Sequence, residues 1–228
     1  MKMEAAMCGR FTLTLDPGDL QDELNFDISS VDLTPRYNIA PSQPVAVVRD
    51  GGTRKVELFK WGLVPSWAKD ASIGYKMINA RSETISEKPS FRVPFSRRRC
   101  LIPADGFYEW AQGNGSKIPY YFYLKDHKPF TFAGLWEEWQ PKEGGDLLRT
   151  CTIITCAAND VLKQYHERMP VILPADVRWL WLDTAAKAPE LQSWLKPYPA
   201  SEMGWHEVSR LVNKPDVDSA ELIAPVTA

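Results

Sequence analysis

Alternating apolar and polar positions dominate the first two thirds of the chain. PVAVVRD and TRKVELFKWGLV are β-rich runs separated by Asp50, Gly51 and Gly52, which predicts a hairpin. KMINARSE, RRCLIPADGFYEW, PYYFYL, FTFAGLWEEW and RTCTIITCAA continue the series, with the turn signals GNGS and DHKP between them. One short helix is expected earlier, in DPGDLQDELNF, from Asp16 as N-cap, Pro17 at the first helical position and Leu20 and Leu24 one turn apart. Helical spacing returns late, in NDVLKQYHER, begun by Asn159 or Asp160 and stopped before Pro170, then in ADVRWLWLDT and APELQSWLK. Strands first and helices last predict an α+β fold, a mostly antiparallel β-sheet closing into a barrel-like core flanked by helices, rather than repeated βαβ units. No internal repeat, low-complexity tract or linker divides the chain, so residues 7–228 are expected to form a single domain.

Composition narrows the class. The 228 residues are 44% hydrophobic and 25% charged, enough for a core, while 9 Trp and 18 Pro suggest aromatic surfaces held by rigid turns. No apolar run approaches the roughly 20 residues of a membrane span, and MKMEAA lacks the apolar core of a signal peptide. A cytoplasmic monomer with no membrane partner is therefore expected. Cys8, Cys100, Cys151 and Cys156 include no CxxC pair, and Cys151 and Cys156 fall on opposite faces of any strand holding both. Reduced thiols follow, with no disulfide framework, no zinc site and no cofactor. A net charge of -2 argues against an indiscriminate nucleic-acid coat but leaves room for a local basic face.

Taken singly, the chemically capable residues have plain readings. Cys8 is a small hydrophobe, His166 satisfies carbonyls near the C-terminal end of its predicted helix, and Asn79 sits at a turn or strand edge. SRRRC, with Arg92 upstream, is a solvated charge cluster. Glu109 is harder to dismiss, because GFYEW is so aromatic that its strand must be substantially buried, and a buried carboxylate needs a partner. Alternation puts Asp105, Phe107 and Glu109 on one face, and Met77, Asn79 and Arg81 on one face of KMINARSE.

Together, MCGRF, RYNIAPSQ, FKWGLVPSW, INARSET, CLIPADGFYEW, HERMPVIL and WHEVSR, in this order from residue 7 to residue 210, resemble the SRAP family of abasic-site processing proteins, formerly called SOS response-associated peptidases. The resemblance implies that Cys8 becomes the mature N-terminus and links covalently to abasic sites in single-stranded DNA. Elementary chemistry agrees. An open abasic sugar presents an aldehyde, and a terminal cysteine offers an α-amine of pKa about 7.7 to 8.0 beside a thiol of about 8.5. The amine can form an imine, and the thiol can then close a five-membered thiazolidine ring. By the same resemblance Asn79 holds the amine or the sugar oxygens, Glu109 shuttles protons, and His166 is a second acid-base group. Arg81 and Arg168 would contact phosphates, Arg10 would stand beside the nucleophile, and Trp67 would stack a base next to the lesion.

One departure from the family pattern precedes Met7. MKMEAA raises three alternatives: a start at Met7, self-cleavage before Cys8, or a retained extension that blocks the amine. The first is favoured, so residues 1–6 are expected to be a non-native or processed extension. Two other functions compete. One is a cysteine peptidase, autoproteolytic, using Cys8 and His166 with Asn79 or Glu109 as orienter. The other is a non-covalent reader of single strands using Arg81, Arg97, Arg98 and Trp67.

Overall fold

A computed structural model describes residues 8–49, 53–113 and 115–226. The chain runs through β1 (Phe11–Leu13), α1 (Pro17–Leu24), β2 (Arg36–Ile39), β3 (Pro44–Arg49) and β4 (Val56–Trp61). A 3-10 turn over Ala71–Lys76 precedes β5 (Asn79–Arg81) and α2 (Pro89–Arg97). Then come β6 (Arg99–Ala104), β7 (Gly106–Gln112), β8 (Lys117–Leu124), β9 (Phe130–Trp139) and β10 (Leu148–Ala157). β11 (Arg168–Pro170), β12 (Ile172–Leu173), α3 (Arg178–Leu182), α4 (Ala188–Trp194) and β13 (Met203–Glu207) follow. The extension expected at residues 1–6 lies outside the described residues, as does the turn at 50–52. No helix among the described residues is long and apolar enough to cross a membrane.

The fold is α+β, and its strands divide between two sheets. β4, β3, β6, β9 and β10 pair in sequence, and β10 returns to β4, which closes a five-strand barrel. Antiparallel pairs dominate, while β10 meets β4 and β5 in parallel. The second sheet is antiparallel, in the order β13-β8-β7-β1-β2. Phe11 of β1 joins the two layers, its ring 5.2 Å from Trp61 and 5.8 Å from Phe132, both edge-on. Each such buried ring contributes about 1.5–3 kcal/mol, so this seam anchors the segment that carries Cys8.

Local signals explain several elements. Asp16 accepts from Gly18 N–H at 2.9 Å, Pro17 opens α1, and Leu20 and Leu24 are buried beneath it. The two expected strands pair antiparallel, with Val48 opposite Val56 and Val45 opposite Phe59. All four cysteines are free and buried.

Three expectations are corrected. NDVLKQYHER is not a helix beyond a 3-10 turn at Leu162–Gln164. The Asn159 side chain caps Val161 and Leu162, but Tyr165 turns in to pack 4.5 Å from the Tyr120 ring and 5.3 Å from that of Phe122. The chain then leaves as β11, with Arg168 opposite Ala157 of β10. RRCLIPADGFYEW is two strands rather than one, because Asp105 leaves the barrel to accept hydrogen bonds from Thr12, Thr14 and Leu15. A Cβ on the next residue, Gly106, would sit 2.2 Å from the Tyr121 ring, so only glycine fits that crossing. Finally, SRRRC is a solvated cluster only in part: Arg92 and Arg97 are exposed, whereas Arg98 and Arg99 are turned inward. Arg99 is 3% exposed and donates to the carbonyls of Phe95, Ser96, Trp181 and Asp183, satisfying acceptors left open at the ends of α2 and α3. Arg98 pairs with Glu137 at 2.7 Å.

Candidate functional site

Cys8 enters the structure with φ at 43°, a left-handed turn uncommon for a side chain with Cβ. That turn aims its main-chain nitrogen at β7, where it donates to Glu109 Oε1 at 2.8 Å. Both residues are buried, Cys8 at 4% and Glu109 at 2% exposure. Burial holds the Glu109 pKa at about 7, although the Cys8 contact and the nearby ammonium of Lys117 pull it down. Burial likewise pushes the Cys8 thiol well above its ordinary value, and neighbouring Glu109 and Cys156 add to the rise. Cys8 is thus held as a neutral thiol, next to a carboxyl group able to gain or lose a proton near neutrality.

β8 carries the site outward from Glu109. Tyr120 lies opposite Glu109 in register and packs on Tyr165, the residue before His166. His166 is half-buried, and its Nδ1 accepts the Arg168 N–H at 3.0 Å. That bond puts the proton of the neutral ring on Nε2. Burial lowers the His166 pKa below its ordinary value, and Lys117 lowers it further. Lys117 therefore acts on both Glu109 and His166.

β10 brings in the remaining groups. Asn79 of β5 sits in register with Ile153, and its side-chain Nδ2 is buried with no hydrogen-bond partner among the described residues. Natural proteins rarely leave such a donor without a partner. Arg81 ends the same strand, exposed and opposite Thr155. Arg168 forks onto Glu83, Nη1 to Oε1 at 2.5 Å and Nη2 to Oε2 at 2.8 Å, and also donates to the Thr155 carbonyl. Its charge is felt by Cys8 and Cys156 alike.

The last two residues singled out in the sequence sit differently. Arg10 is turned inward, Nη1 donating to Asn38 Oδ1 and to the Val212 carbonyl, both at 2.6 Å. It braces the segment next to Cys8 against the C-terminal region. Trp67 is more than half exposed in the loop after β4. Cys8 and Glu109 are thus in contact and within reach of the Arg168 charge, His166 touches Arg168, and Asn79 and Arg81 lie on the strand beside β10.

Sequence reasoning missed Glu83, Cys156 and Lys117. Glu83 lies two residues beyond Arg81, past the end of β5, and nothing in the local pattern names Arg168 as its partner. Among the described residues, no group of three His, Cys, Asp or Glu side chains is placed to hold a metal ion.

Comparison with known proteins places this geometry in context. A family model described as SOS response associated peptidase (SRAP) matches residues 7–215. The chain is similar to the abasic site processing protein YoqW of Bacillus subtilis (strain 168), 48% identical over 222 residues that cover 95% of this chain and 99% of the relative. It is similar to the abasic site processing protein HMCES of Gallus gallus, 35% identical over 224 residues covering 84% of this chain and 66% of the relative. An X-ray structure of a Bacteroides thetaiotaomicron protein matches with a TM-score of 0.87 at 27% identity, covering 96% of this chain and 100% of that one.

Proposed function

The chain belongs to the SRAP family, and from that premise we propose that it processes abasic sites in single-stranded DNA by forming a thiazolidine through the α-amine and thiol of Cys8. The observation that carries the reading is the buried contact between the Cys8 nitrogen and Glu109 at 2.8 Å. In a chain that begins at Cys8 this nitrogen is an amine, ordinarily of pKa about 7.7 to 8.0, within hydrogen-bond reach of a carboxyl group. A proton then moves between them at little cost, leaving the amine neutral and nucleophilic while Glu109 holds the proton.

The steps balance with the loss of one water. The amine nitrogen attacks C1′ of the open sugar to give a carbinolamine, and Glu109 protonates the departing hydroxyl to leave an imine. The Cys8 thiol adds across the C=N bond, Sγ to C1′ and its proton to nitrogen, closing the ring. Asn79 Nδ2, the orphaned donor, binds a sugar oxygen. His166 is neutral at pH 7 and offers Nε2–H to the ring oxygen during opening. Arg81 and Arg168 contact the flanking phosphates, Arg168 with its charge partly balanced by Glu83. Arg10 orients the Cys8 segment through Asn38 and Val212 rather than touching DNA.

A peptidase using Cys8 and His166 fits less well. Such an enzyme draws on a thiolate paired with an imidazolium, whereas burial keeps this thiol protonated and this imidazole neutral. The test is incubation of the chain beginning at Cys8 with single-stranded DNA carrying one abasic site, read by denaturing gel. A covalent band that forms without reductant supports the reading, and its absence defeats it.

A further inference from the structure

The Cys8 nitrogen is held on Glu109 although only Gly9 and Arg10 lie between Cys8 and β1, and in a chain that begins at Cys8 these residues are a free end. Short free ends fray unless they are tied down. A main-chain tie runs from Tyr108 N–H to the Arg10 carbonyl at 3.0 Å. A second tie runs through the Arg10 side chain to Asn38 of β2, which is fully buried at 0% exposure. Asn38 Oδ1 accepts from Arg10 Nη1 at 2.6 Å. Its Nδ2 donates to the carbonyls of Lys214 and Val217 at 2.9 and 2.7 Å and reaches that of Val212 at 3.4 Å. A guanidinium on one side demands an acceptor and carbonyls on the other demand donors, so a primary amide fits where a carboxylate or an apolar group would not.

Those carbonyls belong to a strap, residues 208–226, that lies against the second sheet. Val208, Val212 and Leu222 are buried with Tyr108 and Tyr121. Asn213 Oδ1 accepts from Trp110 Nε1 of β7 at 2.7 Å, and Asp218 accepts from Arg36 Nε of β2 at 2.6 Å and from the N–H of Tyr37. β7 and β2 are the two neighbours of β1, so the strap is fastened on both sides of the strand that Cys8 leads into. Arg10 reaches the same strap directly, Nη1 donating to the Val212 carbonyl at 2.6 Å. One buried amide thus connects the start of the described chain to its end.

Resting on the abasic-site reading, we propose that Asn38 is a positioning residue for the Cys8 amine. By holding Arg10 and the strap with one side chain, it locks residues 8–10 in the left-handed turn that keeps the nitrogen on Glu109. It acts through Arg10 rather than by contact with the sugar. Misplacing a reacting group by about 1 Å costs on the order of 10²-fold in rate, so the effect falls on the chemical step and leaves DNA affinity unchanged.

The test compares the wild-type chain beginning at Cys8 with Asn38→Ala, Arg10→Met and the double variant. Single-turnover crosslinking to single-stranded DNA with one abasic site should slow by roughly ten- to a hundredfold in either single variant, at unchanged Kd for an oligonucleotide carrying a tetrahydrofuran analogue. Because one residue acts through the other, the double variant should be no slower than the slower single variant. N-Ethylmaleimide labelling, mapped by peptide mass, should be at least about fivefold faster at Cys8 in both single variants, while the buried Cys100, Cys151 and Cys156 stay as slow as in wild type. A wild-type value of either rate in Asn38→Ala would overturn the proposal. So would an equal gain in labelling at all four cysteines, which would make Asn38 a support of the whole fold. Should Asn38→Ala not fold, Asn38→Ser takes its place under the same criteria. Failure of the wild-type chain to crosslink would sink the abasic-site reading, while the labelling contrast, which needs no DNA, still decides whether Asn38 holds the Cys8 segment.

Discussion

The main-chain nitrogen of Cys8 and the carboxylate of Glu109 meet at 2.8 Å across 101 positions of sequence, both residues buried. The left-handed turn at Cys8 aims the nitrogen, and the aromatic β7 strand raises the acid's pKa. The first prediction concerns the cost of that arrangement. Glu109 has a folded pKa of about 7 against an ordinary 4.5, so between these values the folded chain binds more protons than the unfolded one. Its contribution to stability is complete below pH 4.5 and is lost as pH rises towards 7. In a chain whose Cys8 nitrogen is an amide, Glu109→Gln keeps an acceptor for that nitrogen and cannot ionise. It should raise Tm at about pH 8, the gain fading by pH 4.5. The same substitution should slow crosslinking in the chain beginning at Cys8 by about 10² to 10⁴-fold. Thermal melts across pH and single-turnover gels check the two halves.

His166 gives a different pH signature. Its pKa is lowered by burial, so it is neutral at pH 7 and gains its proton only below 6.5. The crosslinking rate should fall on the acid side of 6.5 as the ring becomes charged. His166→Ala should reduce the rate by roughly 10² to 10⁴-fold, remove the His-dependent part of that acid limb, and leave DNA affinity intact. Reduced affinity at an unchanged single-turnover rate would make His166 a binding contact instead.

Arg81 and Arg168 should separate by salt dependence. Arg81→Ala removes an exposed cation and should lower the log-log salt slope of single-strand binding by about 0.7. Arg168 already forks onto Glu83, so Glu83→Gln should tighten binding and steepen the slope. Arg168→Ala should also lower Tm, because the Thr155 carbonyl loses one of its two donors and keeps only the Ser82 N–H. Equal affinity at low and high salt in the wild-type chain would contradict phosphate anchoring by either arginine.

Much of the fold was legible where local chemistry and tertiary structure agree. Asp16, Pro17, Leu20 and Leu24 specify α1 without help, and the alternation in PVAVVRD and TRKVELF specifies a pair that the barrel keeps. The failures fall where tertiary contacts override local pattern. Tyr165 has helical spacing but packs on Tyr120 and Phe122, and Asp105 continues an alternating run but finds its donors on Thr12 and Thr14. Arg99 looks like its exposed neighbour Arg97, yet two helix ends supply it with carbonyls that no local pattern could announce. At the site, the aromatic setting of Glu109 signalled burial, whereas the Arg168–Glu83 fork depends on the pairing of β10 with β5 and β11 and had no local trace.

The thiol and the amine of Cys8 can be separated by substitution. Cys8→Ser keeps the amine and can form an imine, but a ring closed through oxygen is less favourable. Its link should persist only after borohydride reduction. Cys8→Ala should behave likewise, and both should fold, because either change alters little volume at one end of the described chain. A serine variant that crosslinks as durably as wild type without reductant would remove the sulfur from the mechanism.

The most direct measurement compares two forms of the wild-type sequence, one beginning at Cys8 with a free α-amine and one with that nitrogen acylated, each incubated with a single-stranded oligonucleotide bearing one abasic site. Intact mass is read without reductant. The form with the free amine should give a product equal to protein plus DNA less one water, stable under denaturing conditions, and the acylated form should give none. An equally stable product of the same stoichiometry from the acylated form would contradict the account, since an acylated nitrogen cannot enter a thiazolidine made from an aldehyde.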